Sequence, residues 1–168
     1  MSSTQFIVYL ALFIICLSLS AFFTSSETAF VSLQRIRLEH LVKSNVKGAR
    51  RVARMIERPE KLLSTILLSN NIVQNAAVAL GTVVAVSLVG ERAGIIVATI
   101  IVSASIVIFS ETAPKTLAIQ HAEKLAFRNA RTIEIISWLL APFVALLGWI
   151  ASNPVSYTHL RAHETGRN

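Results

Sequence analysis

The sequence is poor in the residues on which most binding and catalytic chemistry depends. Its one cysteine, Cys16, lies in an apolar run, can form no internal disulfide and reads as a packed thiol. Nine acids face sixteen Lys and Arg, and charged residues make up only 15% of 168 positions. With 54% hydrophobic residues and a mean hydropathy of +0.62, the chain is more apolar than a soluble domain and points to lipid. The net charge of +7 could suggest nucleic acid, but aromatics are only 7% and do not interleave with the basic residues. That excludes a base-stacking platform. There is no nucleophile–base pair, no Gly-rich phosphate loop and no zinc-ligand spacing, so no enzyme is expected.

What the chain does have is four apolar segments: Phe6–Phe23, Leu62–Gly90, Ala93–Ser110 and Thr132–Ser152. A crossing helix needs ~20 mostly apolar residues, which the first three supply. The first is not read as a signal peptide, because "MSSTQ" lacks the basic residues of an n-region. The fourth is interrupted by Pro142, which strips an N–H and leaves the Trp138 carbonyl without its helical partner. The fold class expected is an all-α membrane protein with three transmembrane helices and a Pro-broken, re-entrant fourth apolar segment. The expected spans are 5–33, 61–89 and 92–113, with juxtamembrane helices at 34–59, a cytoplasmic helix at 114–130 and the fourth segment at 131–152. Residues 154–168, "PVSYTHLRAHETGRN", have no helical apolar period and read as a non-native tail.

Nine of the sixteen basic residues fall between Arg35 and Lys61. More come after the third segment, at Lys115, Lys124, Arg128 and Arg131, whereas Glu91 and Arg92 cancel between segments two and three. The positive-inside rule therefore puts the N-terminus outside and both basic loops in the cytoplasm. Within Arg35–Arg58, Leu38, Leu41 and Val42, then Val52, Ala53 and Ile56, recur at helical spacing, and Gly48 divides the stretch into two helices. A basic amphipathic pair of this kind is expected to lie along the inner membrane face against anionic head groups. The plainer alternative is a solvated helical hairpin.

Three polar clusters interrupt the apolar segments. Ser20, Thr24 and Glu27 fall within roughly 60° of one another at helical spacing, with Ser25 beside them. Ser69, Asn70, Asn71, Gln74 and Asn75 lie well inside the second segment. Ser103 and Ser110 share a stripe of the third, with Glu111 next in the chain. Single serines are commonly glue between membrane helices. Four carboxamides in six residues exceed what glue needs, and an ionisable Glu111 near the membrane is functional by default. Pro114 cannot donate to the Ser110 carbonyl, so it frees an oxygen beside the carboxylate. Hydroxyls, carboxamides, one carboxylate and a loose carbonyl make an all-oxygen set suited to Mg²⁺ or Ca²⁺.

The motifs "LSAFFTSSETAF", "LLSNNIVQNA" and "FSETAPKTLA" together resemble the transmembrane domain of the CorC/cyclin M (CNNM) family of magnesium transport proteins. The resemblance covers about residues 5–152. It implies a homodimer in a bacterial or archaeal inner membrane, with Mg²⁺ as the bound ion and Na⁺-coupled export by alternating access. Carried over by motif, it implies Ser20, Thr24 and Ser25 as ion-site residues from the first helix, Ser69 and Asn70 from the second, and Ser110 and Glu111 from the third. Asn71, Gln74, Asn75 and Pro114 would support them. Family members continue into nucleotide-binding cytoplasmic domains, to which nothing in residues 1–168 corresponds. Those domains lie inside, so either the fourth segment re-enters or the orientation is reversed; Pro142 and Gly148 favour re-entry. The alternative function is a Mg²⁺-sensing anchor or scaffold that does not transport.

Overall fold

A computed structural model of the chain describes residues 2–152, with side chains for 2–146. Among these it is helical throughout, with no strand. Helix α1 (Ser3–Ser32) opens on a capping box, in which the Ser2 hydroxyl accepts from the Gln5 N–H and the Gln5 carboxamide oxygen from the Ser2 N–H. Short helices α2 (Arg35–Lys43) and α3 (Ala49–Ile56) come next, joined by a turn in which Gly48 takes φ +91°, a conformation that L side chains rarely adopt. Helix α4 (Pro59–Val89) starts on a proline, whose missing N–H has no partner to lose there. Gly90, at φ +83°, turns the chain into α5 (Glu91–Gln120). Two further helices, α6 (Ala122–Leu139) and α7 (Ala141–Ser152), complete the described chain.

Helices α1, α4 and α5 are each about thirty residues long and apolar enough to cross a membrane. At 1.5 Å per residue each reaches ~45 Å, more than the ~30 Å of hydrocarbon it must span. Their outer faces carry Ile7, Ile14, Ile15, Ile95, Ile96, Ile100 and Ile101, all exposed. A bundle that turns isoleucine outward is built for lipid, so the chain is an integral all-α membrane protein. Of helix α7, the described residues take in 12, Ala141–Ser152.

The molecule has two cores. One lies between the crossing helices and joins Ala77 and Ala85 of α4 to Ala98, Val102 and Ile106 of α5. The second gathers Phe23 and Phe30 of α1, Leu38 of α2, Val52 of α3, Leu62 and Ile66 of α4, and Ala126, Ala130 and Ile133 of α6. The second core changes the picture of the basic stretch. Leu38, Leu41 and Val52, the face expected against lipid, are buried in protein. Helices α2 and α3 thus form a protein layer at the end of the bundle, closed by α6 and tied by two ion pairs, Arg37–Glu123 at 3.2 Å and Arg51–Glu134 at 2.9 Å.

The segment after the third crossing divides differently from the expectation of 114–130 and then 131–152. Helix α5 continues through Ala113–Gln120 and stops at His121; α6 then runs across residue 131 without a break. The composition shift near 131 is a change in what α6 packs against. Ala126, Asn129, Ala130 and Ile133 form its buried face, while Lys124, Arg128, Arg131 and Glu134 stay outside. The break comes at Leu140, and Pro142 sits in the first turn of α7, where its missing N–H costs nothing.

Helix α5 also departs from simple α geometry, with wide π turns at Ala98–Val102 and Ile106–Thr112. An added residue per turn rotates the remainder of the helix about its axis. Ser103 and Ser110, on one stripe at α spacing, consequently part: Ser110 is buried and Ser103 exposed. Where α4 meets α5, a Cβ placed on Gly81 would lie 2.8 Å from both γ-carbons of Val102 and 3.0 Å from Phe13. Val102 is buried and β-branched, so it cannot turn aside. Gly81→Ala is expected to destabilise the protein by ~1–3 kcal/mol in a detergent-solubilised unfolding assay.

Candidate cation site

The polar clusters of the three crossing helices meet at one level of the bundle. Asn70 of α4 faces α1: the Ser20 hydroxyl donates to its Oδ1 at 2.8 Å, and its Nδ2 donates to Thr24 Oγ1 at 3.5 Å. One turn along α4, ~6 Å by helix rise, Gln74 Nε2 donates to Glu111 Oε1 at 2.8 Å. The third side closes where the Ser110 hydroxyl donates to the Leu17 carbonyl at 3.2 Å, joining α5 to α1 one turn before Ser20. Ser20 and Thr24 are 1% exposed and Ser110 is fully buried, whereas Asn70, Gln74 and Glu111 are partly open. The layer therefore has a closed wall of hydroxyls and an accessible side bearing the carboxylate.

The convergence of these side chains is a consequence of helix geometry. Ser20 and Thr24 are four apart, as are Asn70 and Gln74, so each pair stands on one face of its helix. The wide turn at Ile106–Thr112 contains both Ser110 and Glu111, and Pro114 is buried just beyond it. Here the Ala113 N–H reaches back five residues to the Ile108 carbonyl. A π turn next to a proline loosens the backbone ladder where the carboxylate stands, and such turns recur at functional sites.

Other residues of the motifs point elsewhere. The Ser25 hydroxyl donates to the Phe22 carbonyl at 3.0 Å, and the Ser69 hydroxyl to the Thr65 carbonyl at 2.8 Å, each within its own helix. Asn71 and Asn75 are exposed on the far side of α4. Glu27 is half-buried one turn below Thr24. Among the described residues, no group of three His, Cys, Asp or Glu is placed to hold a metal.

Two features escaped the sequence. Gln74 is the direct partner of Glu111, which a count of carboxamides could flag but not assign. Asn129 of α6 donates through Nδ2 to Ser26 Oγ at 2.9 Å, and Ser26 donates on to the Phe22 carbonyl at 2.7 Å. Asn129 is 2% exposed and Ser26 fully buried, so this link ties α6 to α1 two residues past Thr24. The only sequence signal was a polar residue between Ala126, Ala130 and Ile133 on the buried face. Asn129→Ala is expected to cost ~1–3 kcal/mol of stability, because it leaves buried polar groups short of a partner.

Fold and site together define an integral membrane protein whose three crossing helices enclose an oxygen-rich layer with one carboxylate. Comparison with known proteins gives the family. The cyclin M transmembrane N-terminal domain model matches residues 11–162, and the chain belongs to that family. It is 40% identical over 145 residues to a UPF0053 protein of Haemophilus influenzae, covering 86% of this chain and 33% of that protein. It is 37% identical over 132 residues to the UPF0053 inner membrane protein YfjD of Escherichia coli, covering 79% and 31%. A chloroplastic DUF21 domain-containing protein of Arabidopsis thaliana is 32% identical over 129 residues, covering 76% and 19%. The chain thus spans about a third of the length of these bacterial relatives. The tail at 154–168 lies outside the described residues; the family match takes in 154–162.

Proposed function

We propose that this domain moves a divalent cation, Mg²⁺, across the membrane through the layer formed by Ser20, Thr24, Asn70, Ser110 and Glu111. The observation that carries the reading is a chain of polar contacts across three crossing helices, Ser20 to Asn70 and, one turn along α4, Gln74 to the partly open Glu111. Mg²⁺ dehydrates reluctantly and takes few protein carboxylates, keeping several waters. Glu111 supplies charge, while Asn70 Oδ1 and the hydroxyls supply neutral dipoles in exchange for their mutual hydrogen bonds. One charge holds the ion weakly enough for release. Transport is by alternating access, with Na⁺ as the coupling ion for export, and Ser25 and Ser69 join the ligand set only if their hydroxyls turn from their own helices.

The basic layer of α2, α3 and α6 faces the cytoplasm in this reading, the N-terminus lies outside, and α7 re-enters rather than crosses. The working unit is a homodimer in a bacterial inner membrane. Asn71 and Asn75 support it, because exposed carboxamides on a crossing helix are costly against lipid but can pair across a subunit interface.

The buried Asn129–Ser26 link favours a second reading, a Mg²⁺-sensing anchor that relays occupancy through α6 without transport. Flux into and out of vesicles containing the purified protein, with and without a Na⁺ gradient, separates the two. Saturable Mg²⁺ flux accelerated by Na⁺ supports transport. Saturable binding with no flux supports the sensor and overturns the first reading.

A further inference from the structure

A hollow of about 420 Å³ lies away from the cation layer, between the end of α3, the start of α4 and the last turns of α6. Its rim carries Arg54, Arg58 and Lys61, all exposed. Two acids also line it, but Glu134 is neutralised by Arg51 at 2.9 Å, which leaves Glu57 against three cations. Its apolar wall is Met55, Leu62 and Trp138, and Trp138 is 79% exposed beside the exposed Ile135 and Leu139. Lys61 stands in the first turn of α4, so the hollow sits where that crossing helix enters the bilayer.

We infer that this hollow is a binding site for one anionic phospholipid. Its phosphate sits on Arg54, Arg58 and Lys61, and its acyl chains run down over Trp138 into the hydrocarbon beside α6. The chemistry fits both ends of such a molecule. Cations at the head-group level attract phosphodiesters, and a tryptophan with one side wet and the other apolar marks the boundary between head groups and chains. A soluble phosphate would use the cations and leave the tryptophan idle, so the exposed indole favours a lipid. The inference rests on the basic layer lying at the membrane surface and is independent of transport.

The test is native mass spectrometry and fluorescence titration of the purified protein with phosphatidylglycerol, phosphatidylcholine and inorganic phosphate. Phosphatidylglycerol is expected to bind with a change in Trp138 fluorescence, read in Trp149→Phe so that one indole remains, whereas phosphatidylcholine binds at least ~10-fold more weakly, as the loss of more than one surface cation's worth of attraction implies. R54Q/R58Q should weaken phosphatidylglycerol roughly 30-fold, at ~5-fold per cation. R54K/R58K should keep it, which also shows that a loss is not misfolding. K43Q/K124Q, which removes the same charge elsewhere in the basic layer, should leave it unchanged. Equal losses in both Gln pairs would mean diffuse attraction and overturn the site. Equal binding of the two lipids, or displacement of phosphatidylglycerol by inorganic phosphate, would overturn it too. A protein that binds phosphatidylglycerol here yet moves no Mg²⁺ leaves this inference standing and removes only the transport reading.

Discussion

Glu111→Ala is expected to bring Mg²⁺ flux through vesicles containing this protein down to the level of empty vesicles. Glu111 stands beside Gln74, one turn along α4 from the Ser20–Asn70 pair, and Gln74 Nε2 holds one of its oxygens at 2.8 Å. Removing a group that only supports a metal ligand costs ~10–100-fold. Removing the sole charged ligand should exceed that, with a loss of more than ~100-fold. Glu111→Gln separates charge from shape: it keeps a side chain facing Gln74 but removes the charge, and should be as inactive as Ala. Activity near the parent's in Glu111→Gln would show that the carboxylate serves packing alone. Gln74→Ala, which frees Glu111 without removing it, should fall within the smaller range.

Asn70→Ala is the second large effect, and it acts on two links at once. It removes a carbonyl dipole from the ion and deprives the Ser20 hydroxyl, 1% exposed, of its acceptor. Leaving that hydroxyl unsatisfied costs ~1–3 kcal/mol, so a lower unfolding temperature is expected together with a ~10–100-fold loss of flux. Asn70→Asp distinguishes the causes. It restores an acceptor for Ser20 and adds a second negative charge, so stability should recover and Mg²⁺ should bind more tightly. Release should then slow, and flux should stay low. An Asp variant that binds Mg²⁺ no better than the parent would place the ion away from Asn70.

Much of this arrangement could be read from one sequence because the signals were local. Long uncharged apolar runs gave the three crossing helices, Gly48 the division of the basic stretch, and helical spacing the Ser20–Thr24 face. What could not be read depended on partners distant in sequence or on backbone register. Spacing alone could not tell that Ser25 and Ser69 bond back to their own helices, since a serine on a helix has that carbonyl within reach whatever face it occupies. The wide turns of α5, which separate Ser103 from Ser110, leave no mark in a pattern read at 100° per residue. The apolar faces of α2 and α3 looked like a membrane-surface pair because their cover, α6, lies far along the chain. Asn129 and Ser26, 103 residues apart, meet only in the folded bundle.

These features bear on how the layer could work. The closed wall is cross-linked: the Ser110 hydroxyl donates to the Leu17 carbonyl, and Ser26 accepts from Asn129. The loosened backbone is the turn that carries both Ser110 and Glu111.

The central claim is that the ion sits against Glu111 and Asn70, and anomalous diffraction from crystals soaked in Mn²⁺ tests it most directly. One peak per chain is expected, within ~2.0–2.5 Å of a Glu111 carboxylate oxygen, with Asn70 Oδ1 bound directly or through one water, and no peak there in Glu111→Gln. A peak confined to surface acids such as Glu57 or Glu60, or one at the layer that persists in Glu111→Gln, would contradict the account.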